Sequence, residues 1–380
     1  MNSLWFIIIV VIIIFLQSNL YKKYIFKNLY IKREFSNHNV FPGEKTLLTI
    51  EVENKKIFPI TYLKIKQKLP SELSFIKKSN IEEIEKVKFT HTTILSILPF
   101  QRIRRKFEME CIKRGIYNLS DNIELISTDL FGIEEYNTEI SAPSKIVVYP
   151  RLINLKRNII PANSLQGDIF IKRWILEDPI MISGIRDYTT HDNFKTINWK
   201  ATAKNQSLKV NTYDFTADKK IVILFNIDFH RYVFSTSDFN EFEKAIEVAA
   251  SLSVDLIESG IPVGFSTNAI CIFSEDYSFI EPSTGQEHIS KLLEIFSGIS
   301  FFKRYDLSEI IDVLLNNISW GTDLIIVTPF VDEKMIHLLE KIPNIQISLI
   351  SIQYKNITFL SDNVHLFFYS EEGKQFEHIK

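Results

Sequence analysis

Residues Leu4 to Leu16 read L-W-F-I-I-I-V-V-I-I-I-F-L, an unbroken apolar run that continues through Gln17, Ser18 and Asn19 to Leu20 and Tyr21. No buried helix of a small domain needs such a surface. A membrane-spanning helix takes about 17 to 25 residues and the core of a signal peptide about 7 to 15, so length alone leaves a span, an interfacial segment and an uncleaved signal open. The flanks discriminate. No Lys or Arg precedes the run and no small-residue cleavage site follows it, whereas Lys22, Lys23, Lys27, Lys32 and Arg33 crowd its C-terminal side. The pattern predicts a transmembrane anchor over 1–21 and a juxtamembrane basic segment over 22–39. Under the positive-inside rule it also predicts a single-pass protein of the cell membrane with its body in the cytoplasm.

Composition narrows the chemistry of that body. The chain of 380 residues holds only 11 glycines, well below the usual share of about 7%, and contains no G-x-G-x-x-G, no P-loop and no nucleophile elbow. Cys111 and Cys271 are too far apart in sequence for a C-x-x-C pair, which leaves no zinc ribbon and no disulfide framework. A formal net charge of -2 with no long basic run argues against a nucleic-acid partner.

Over 40–150 the hydrophobic period is two. Leu48, Ile50 and Val52 alternate with polar residues, and Tyr62 to Leu69 repeats the alternation after Pro59. Turn signals at Pro42-Gly43, Pro70-Ser71, Arg114-Gly115 and Phe131-Gly132 separate further short strands. This predicts an all-β sandwich-like domain.

The pattern changes over 211–380. Ile221 to Ile227 is a continuous apolar run of the kind buried on both faces of a parallel sheet. A helical repeat of Phe242, Ala245, Ile246, Ala249, Leu252 and Leu256 follows, capped at Ser237 or Asp238 and closed by Gly260. Strands are expected at Ile261–Ser266, Ile270–Ser274, Leu324–Thr328, Ile345–Ile352 and Val364–Tyr369. Helices are expected over 285–297, from a capping box at Asp306 and Glu309, and over 332–341. Such alternation predicts a doubly wound α/β sheet, whose sites lie beyond the carboxyl ends of the strands. The residues placed there are Asn226, Asp228, His230, Thr328 and Asp332.

The connecting segment, 151–210, carries Arg186, Tyr188, Asp192, Lys195, Ile197, Trp199, Ala203, Lys204 and Leu208 in a spaced order. With Phe41-Pro42-Gly43-Glu44, Arg114-Gly115-x-Tyr117, Asp129-Leu130-Phe131-Gly132 and Val148-Tyr149-Pro150, this order resembles the domain of unknown function 58 family over nearly the whole chain. The resemblance implies a membrane-anchored protein with a sandwich-like domain, a C-terminal fold similar to von Willebrand factor type A domains, and association with MoxR-type AAA+ ATPases. It implies no established enzymatic activity. The chain departs from the family pattern at His191, Lys195 and Lys204, where the family has Gly, Arg and Arg. On their own chemistry the same residues read as architecture, with Asp192 capping a short helix and Trp199 packed into a core. The other reading is a polar surface offered to a partner by Arg186, Tyr188, Asp192, Lys195, Trp199 and Lys204.

Type A domains that hold Mg2+ use an Asp-x-Ser-x-Ser turn with a Thr and an Asp from later loops. Here the turn is Asn226-Ile227-Asp228-Phe229-His230. A neutral amide replaces the first carboxylate and a nitrogen ligand the last hydroxyl, a poor oxygen shell for Mg2+, so the expectation is a degenerate site with no cofactor. The anchor, the architecture and the missing catalytic motifs favour a non-enzymatic scaffold that binds a protein partner. The alternatives are a metal-dependent ligand-binding or adhesion module, and a hydrolase using a Ser or Asp with one of the eight histidines, of which His91, His288 and His365 read as surface or satisfied core residues.

Overall fold

The computed structural model describes residues 2–76, 81–83, 88–155, 182–189, 197–205, 207–213, 220–227, 236–272, 279–318, 322–342, 345, 347–353, 364–370 and 375–379. They fall into two compact units, Met1–Arg151 and Leu152–Lys380.

The first unit opens with helix α1 (Asn2–Tyr24). The expected transmembrane span, and the single-pass cytoplasmic-facing localisation built on it, are corrected: among the described residues no helix is long and apolar enough to cross a membrane. The uninterrupted apolar part, Leu4–Leu16, amounts to about 20 Å of helix, against a hydrocarbon thickness of about 30 Å. The turns after it belong to the strand domain. Tyr21 is buried, its hydroxyl donates to the Pro59 carbonyl at 3.0 Å, and its ring meets Phe58 edge-on. Ser18 Oγ lies 3.0 Å from the Tyr136 hydroxyl.

Twelve strands follow: β1 (Leu29–Phe35), β2 (Asn39–Val40), β3 (Lys45–Asn54), β4 (Ile60–Pro70), β5 (Leu73–Phe75), β6 (Ile81–Glu83), β7 (Lys88–Ile97), β8 (Arg102–Cys111), β9 (Gly115–Leu119), β10 (Ile123–Thr128), β11 (Glu135–Ile140) and β12 (Ser144–Val148). They form sheets ordered β1-β3-β8-β5, β11-β10-β4-β7-β6 and β2-β12-β9. The period-two residues Ile50 and Val52 of one sheet meet Leu63, Ile65 and Leu125 of another in one buried cluster. β1 lies inside the stretch expected to be a basic linker. Its inward face carries the buried Arg33 beside Leu29 and Phe35, and a charge on the core side of a strand hides the period.

Arg33 begins a buried polar column. Its Nη2 donates to the Leu119 carbonyl at 2.6 Å and its Nη1 to Gln67 Oε1 at 3.4 Å. With Gln67 Oε1 taken as an acceptor, Gln67 Nε2 is the donor to His91 Nδ1, 3.1 Å away. His91 therefore carries its proton on Nε2 and is neutral, and burial holds its pKa down to about 4. Phe75 and Phe107 flank the imidazole at 4.5 and 4.6 Å.

The second unit holds β13 (Ile182–Asp187), α2 (Trp199–Asn205), β14 (Lys209–Tyr213), β15 (Lys220–Phe225), α3 (Thr236–Glu258), β16 (Val263–Thr267), β17 (Ala269–Cys271), β18 (Ile280–Ser283), α4 (Gln286–Gly298), β19 (Ile299–Lys303), α5 (Leu307–Asn317), β20 (Thr322–Thr328), α6 (Glu333–Glu340), β21 (Ile347–Ser351), β22 (Val364–Ser370) and β23 (Gln375–Ile379). Seven strands make one sheet, β18-β16-β15-β20-β21-β22-β23. Its inner neighbours pair in parallel and its two edge strands pair antiparallel. β15 is buried along almost its whole length. α3 ends at Gly260, whose positive φ of 84° turns the chain out of the helix, and the capping box of Asp306 and Glu309 opens α5. Of the strand expected at Ile270–Ser274, Ile270 and Cys271 belong to β17, which pairs with β19 in a separate ribbon, and 273–274 lie outside the described residues.

The fold class expected for the chain, an α/β sheet preceded by an all-β sandwich-like domain and a transmembrane helix, is corrected both in its α/β class and in its spanning helix. The described residues are mostly β, with 45% strand, because the many strands of the first unit outweigh the helices of the second.

Candidate functional site

The inner strands β15, β16 and β20 run in parallel, so their carboxyl ends lie together and three connections leave from one edge of the sheet. Asn226 follows β15, Asn268 follows β16 and Thr328 ends β20, and all three are buried. Their hydrogen bonds form a chain whose direction is fixed by backbone groups at both ends. The Ile227 N–H donates to Asn268 Oδ1 at 2.9 Å, so the other amide atom of Asn268 is its nitrogen, and this donates to Asn226 Oδ1 at 2.7 Å. Asn226 Nδ2 then donates to Thr328 Oγ1 at 3.3 Å, and the Thr328 hydroxyl passes its own proton to the Phe330 carbonyl at 2.8 Å. Thr267 ties the same edge to β15, its hydroxyl donating to the Phe225 carbonyl at 2.9 Å and accepting the Ala269 N–H at 3.1 Å.

Hydrogen bonds involve three of the five residues expected at the degenerate metal site. Asn226 turns an amide N–H, not an oxygen, toward Thr328, and its own oxygen is occupied by Asn268. Asp332 accepts the Met335 N–H at 2.8 Å through Oδ1 and caps α6. Among the described residues no group of three or more His, Cys, Asp or Glu is placed to hold a metal. Asp228 and His230 lie outside the described residues. In this arrangement Asn226 turns no oxygen toward Thr328, and Oδ1 of Asp332 serves as the cap of α6. Asn268 escapes a reading of the sequence because nothing in its spacing distinguishes it from an ordinary turn residue. As for the other histidines, His91 is buried in the polar column and His288 Nε2 lies 2.7 Å from the Val263 carbonyl.

The signature residues form a second locale. β13 pairs antiparallel with β14, and on the other side of β14 Ile197 bridges to Val210, both buried. Asn198 organises the entry into α2. Its N–H donates to the Lys209 carbonyl at 2.8 Å, its Nδ2 to Asn211 Oδ1 at 2.7 Å, and its Oδ1 accepts the Ala201 N–H at 2.9 Å. Asn198 is therefore the N-cap of α2; Asp192, expected to cap a short helix, lies with Lys195 outside the described residues. Tyr188 donates its N–H to the Leu208 carbonyl at 3.0 Å, Arg186 donates Nη1 to the Asp187 carbonyl at 3.1 Å, and Lys209 pairs with Asp187.

Trp199 is not packed into a core. At the first position of α2 its side chain is 67% exposed, with Ile185 at 52% and Leu208 at 42%. Lys200 and Lys204 of α2 are exposed as well. The sequence shows where these residues are but not that β14 uses its buried side on Ile197, which leaves Trp199 outside.

Comparison with known proteins adds a frame. The Uncharacterized protein YeaD of Bacillus subtilis (strain 168) is 18% identical over 345 residues, 88% of this chain and 79% of its own length. Among solved structures, the non-cellulosomal cohesin of Archaeoglobus fulgidus overlaps 31% of this chain and 90% of its own, at 11% identity and a TM-score of 0.22. A type I cohesin–dockerin complex from Clostridium thermocellum overlaps 31% of this chain and 98% of its own, at 12% identity and a TM-score of 0.20. Overlaps this loose define no common fold. The resemblance read along nearly the whole chain is supported over its later part: residues 184–355, which hold the signature locale and the carboxyl edge, match the family described as Protein of unknown function DUF58.

Proposed function

We propose that this protein is a non-enzymatic scaffold that docks a protein partner through the face built by β13, β14 and α2. In this reading its second unit serves as a von Willebrand factor type A-like domain whose metal turn has become an amide network. The observation that carries the reading is the exposure of Trp199. Trp leads the residues that dominate interface energetics. The parallel inner strands of the second sheet support the type A-like reading, and the donor geometry at Asn226 supports a metal-independent mode of binding. The partner class is the one the family resemblance implies, a MoxR-type AAA+ ATPase.

The test is a photocrosslinking amino acid placed at position 199 in the full chain and irradiated in the native cell. A discrete protein adduct, identified as an AAA+ ATPase by mass spectrometry, is the expected result. The absence of any protein adduct from position 199, with adducts recovered equally from an exposed position elsewhere, overturns the reading.

A further inference from the structure

We infer that the partner segment received at this face is acidic and carries one large apolar side chain that covers Trp199. The inference rests on the docking role proposed above and adds the chemistry of what docks.

Three observations lead to it. Lys200 and Lys204 stand four residues apart on α2, hence on one side of the helix, both are exposed, and among the described residues neither has an acidic partner. The helix has no acidic residue of its own, its sequence being WKATAKN. The nearby carboxylate of Asp187 is taken by Lys209. The short helix therefore carries two ammonium groups with no acidic partner among the described residues and, at its first position, an exposed aromatic side chain. An apolar anchor with a charged rim is the usual anatomy of a small recognition site. The anchor sets residence time, and the rim sets the approach rate and the salt dependence. A basic segment would bring like charges together, and an uncharged one would leave the lysines without a role.

Panning a random peptide library on the full-length chain tests this. Peptides rich in Asp and Glu around a single Leu, Phe or Trp should be enriched, and the enrichment should fall about tenfold or more for Lys200→Glu/Lys204→Glu. Trp199→Ala should retain the acidic preference and lose the selection for the apolar residue. Both sets of positions are exposed, so an unchanged melting curve confirms that the variants are folded. Enrichment of basic or uncharged peptides, acidic peptides that bind the double-glutamate variant equally well, or no enrichment at all overturns the inference. The docking role is judged separately: an adduct from position 199 with no acidic selection keeps the role and removes the acidic partner, whereas no adduct removes the role whatever the library yields.

Discussion

Each unit contains a buried chain of directed hydrogen bonds, and the two are built for opposite responses to their surroundings. In the strand unit the chain runs from the Arg33 guanidinium through Gln67 to His91. In the sheet unit it runs from a backbone N–H through Asn268, Asn226 and Thr328 to a backbone carbonyl. The first has an ionisable group at either end. The second has none, and both of its ends are fixed by the main chain. Burial is similar, so the contrast teaches that the chemistry of the end groups, not depth, decides whether a buried polar chain senses pH or ions.

The sharpest way to break the contrast is to place a charge in the neutral chain. Asn226→Asp keeps the shape but turns a carboxylate oxygen toward Thr328 Oγ1, whose proton is already committed to Phe330. The sheet unit should lose about 3–5 kcal/mol at neutral pH, the usual cost of an uncompensated buried charge, measured by urea unfolding. The unsubstituted protein should be indifferent to millimolar Mg2+. A rise in its unfolding midpoint with Mg2+ would show that the carboxyl edge still binds the ion.

Acid should break the other chain. His91 is held at about 4 in the folded unit and sits near 6.5 in the unfolded chain. Between these values the unfolded state binds the extra proton, so the stability of the strand unit is complete above about pH 6.5 and declines as pH falls toward about 4. A proton on Nδ1 would face the Gln67 amide donor, and turning Gln67 over would point its N–H groups at Arg33. The expected loss is on the order of 2–3 kcal/mol, followed by hydrogen exchange resolved to each unit. It should vanish in His91→Gln, while the sheet unit remains unchanged over the same window. An equal acid response in both units would erase the distinction.

The smallest effect sharpens the comparison within the second unit. Asn198→Ala removes the cap of α2 and the bond to Asn211, and about 1 kcal/mol of local stability should go with it. Exchange of the α2 amides reports this loss, and the amides of β15 should not follow.

What could be read from the sequence followed the strength of its periodicities. Leu48, Ile50 and Val52 announced their strand, and Ile221 to Phe225 announced a strand covered on both faces, because each pattern is dictated by burial alone. The strand from Leu29 to Phe35 was hidden because Arg33 occupies a core position and is kept there by Gln67 and a carbonyl from a distant strand. The apolar run at the start promised a membrane span because its composition is extreme, yet the turns from Ser18 to Tyr21 are used by Tyr136, Phe58 and Pro59. At the candidate sites the sequence located Asn226, Thr328, Asp332, Arg186 and Trp199 but not their roles. Whether an amide offers its oxygen or its nitrogen, and whether a Trp faces in or out, depends on partners such as Asn268 and Val210 that sit far away along the chain.

The carboxyl edge also has a mechanical consequence. Because Asn268 holds the Ile227 amide and its carbonyl accepts the Arg304 N–H at 2.8 Å, segments that follow three different strands share a single fastening. Rather than flexing one by one, they should unlatch in a single event. The amide protons of Ile227, Ala269 and Arg304 would then exchange with solvent in step, at one common opening free energy. Three separate values would mean that the edge is an assembly of independent loops.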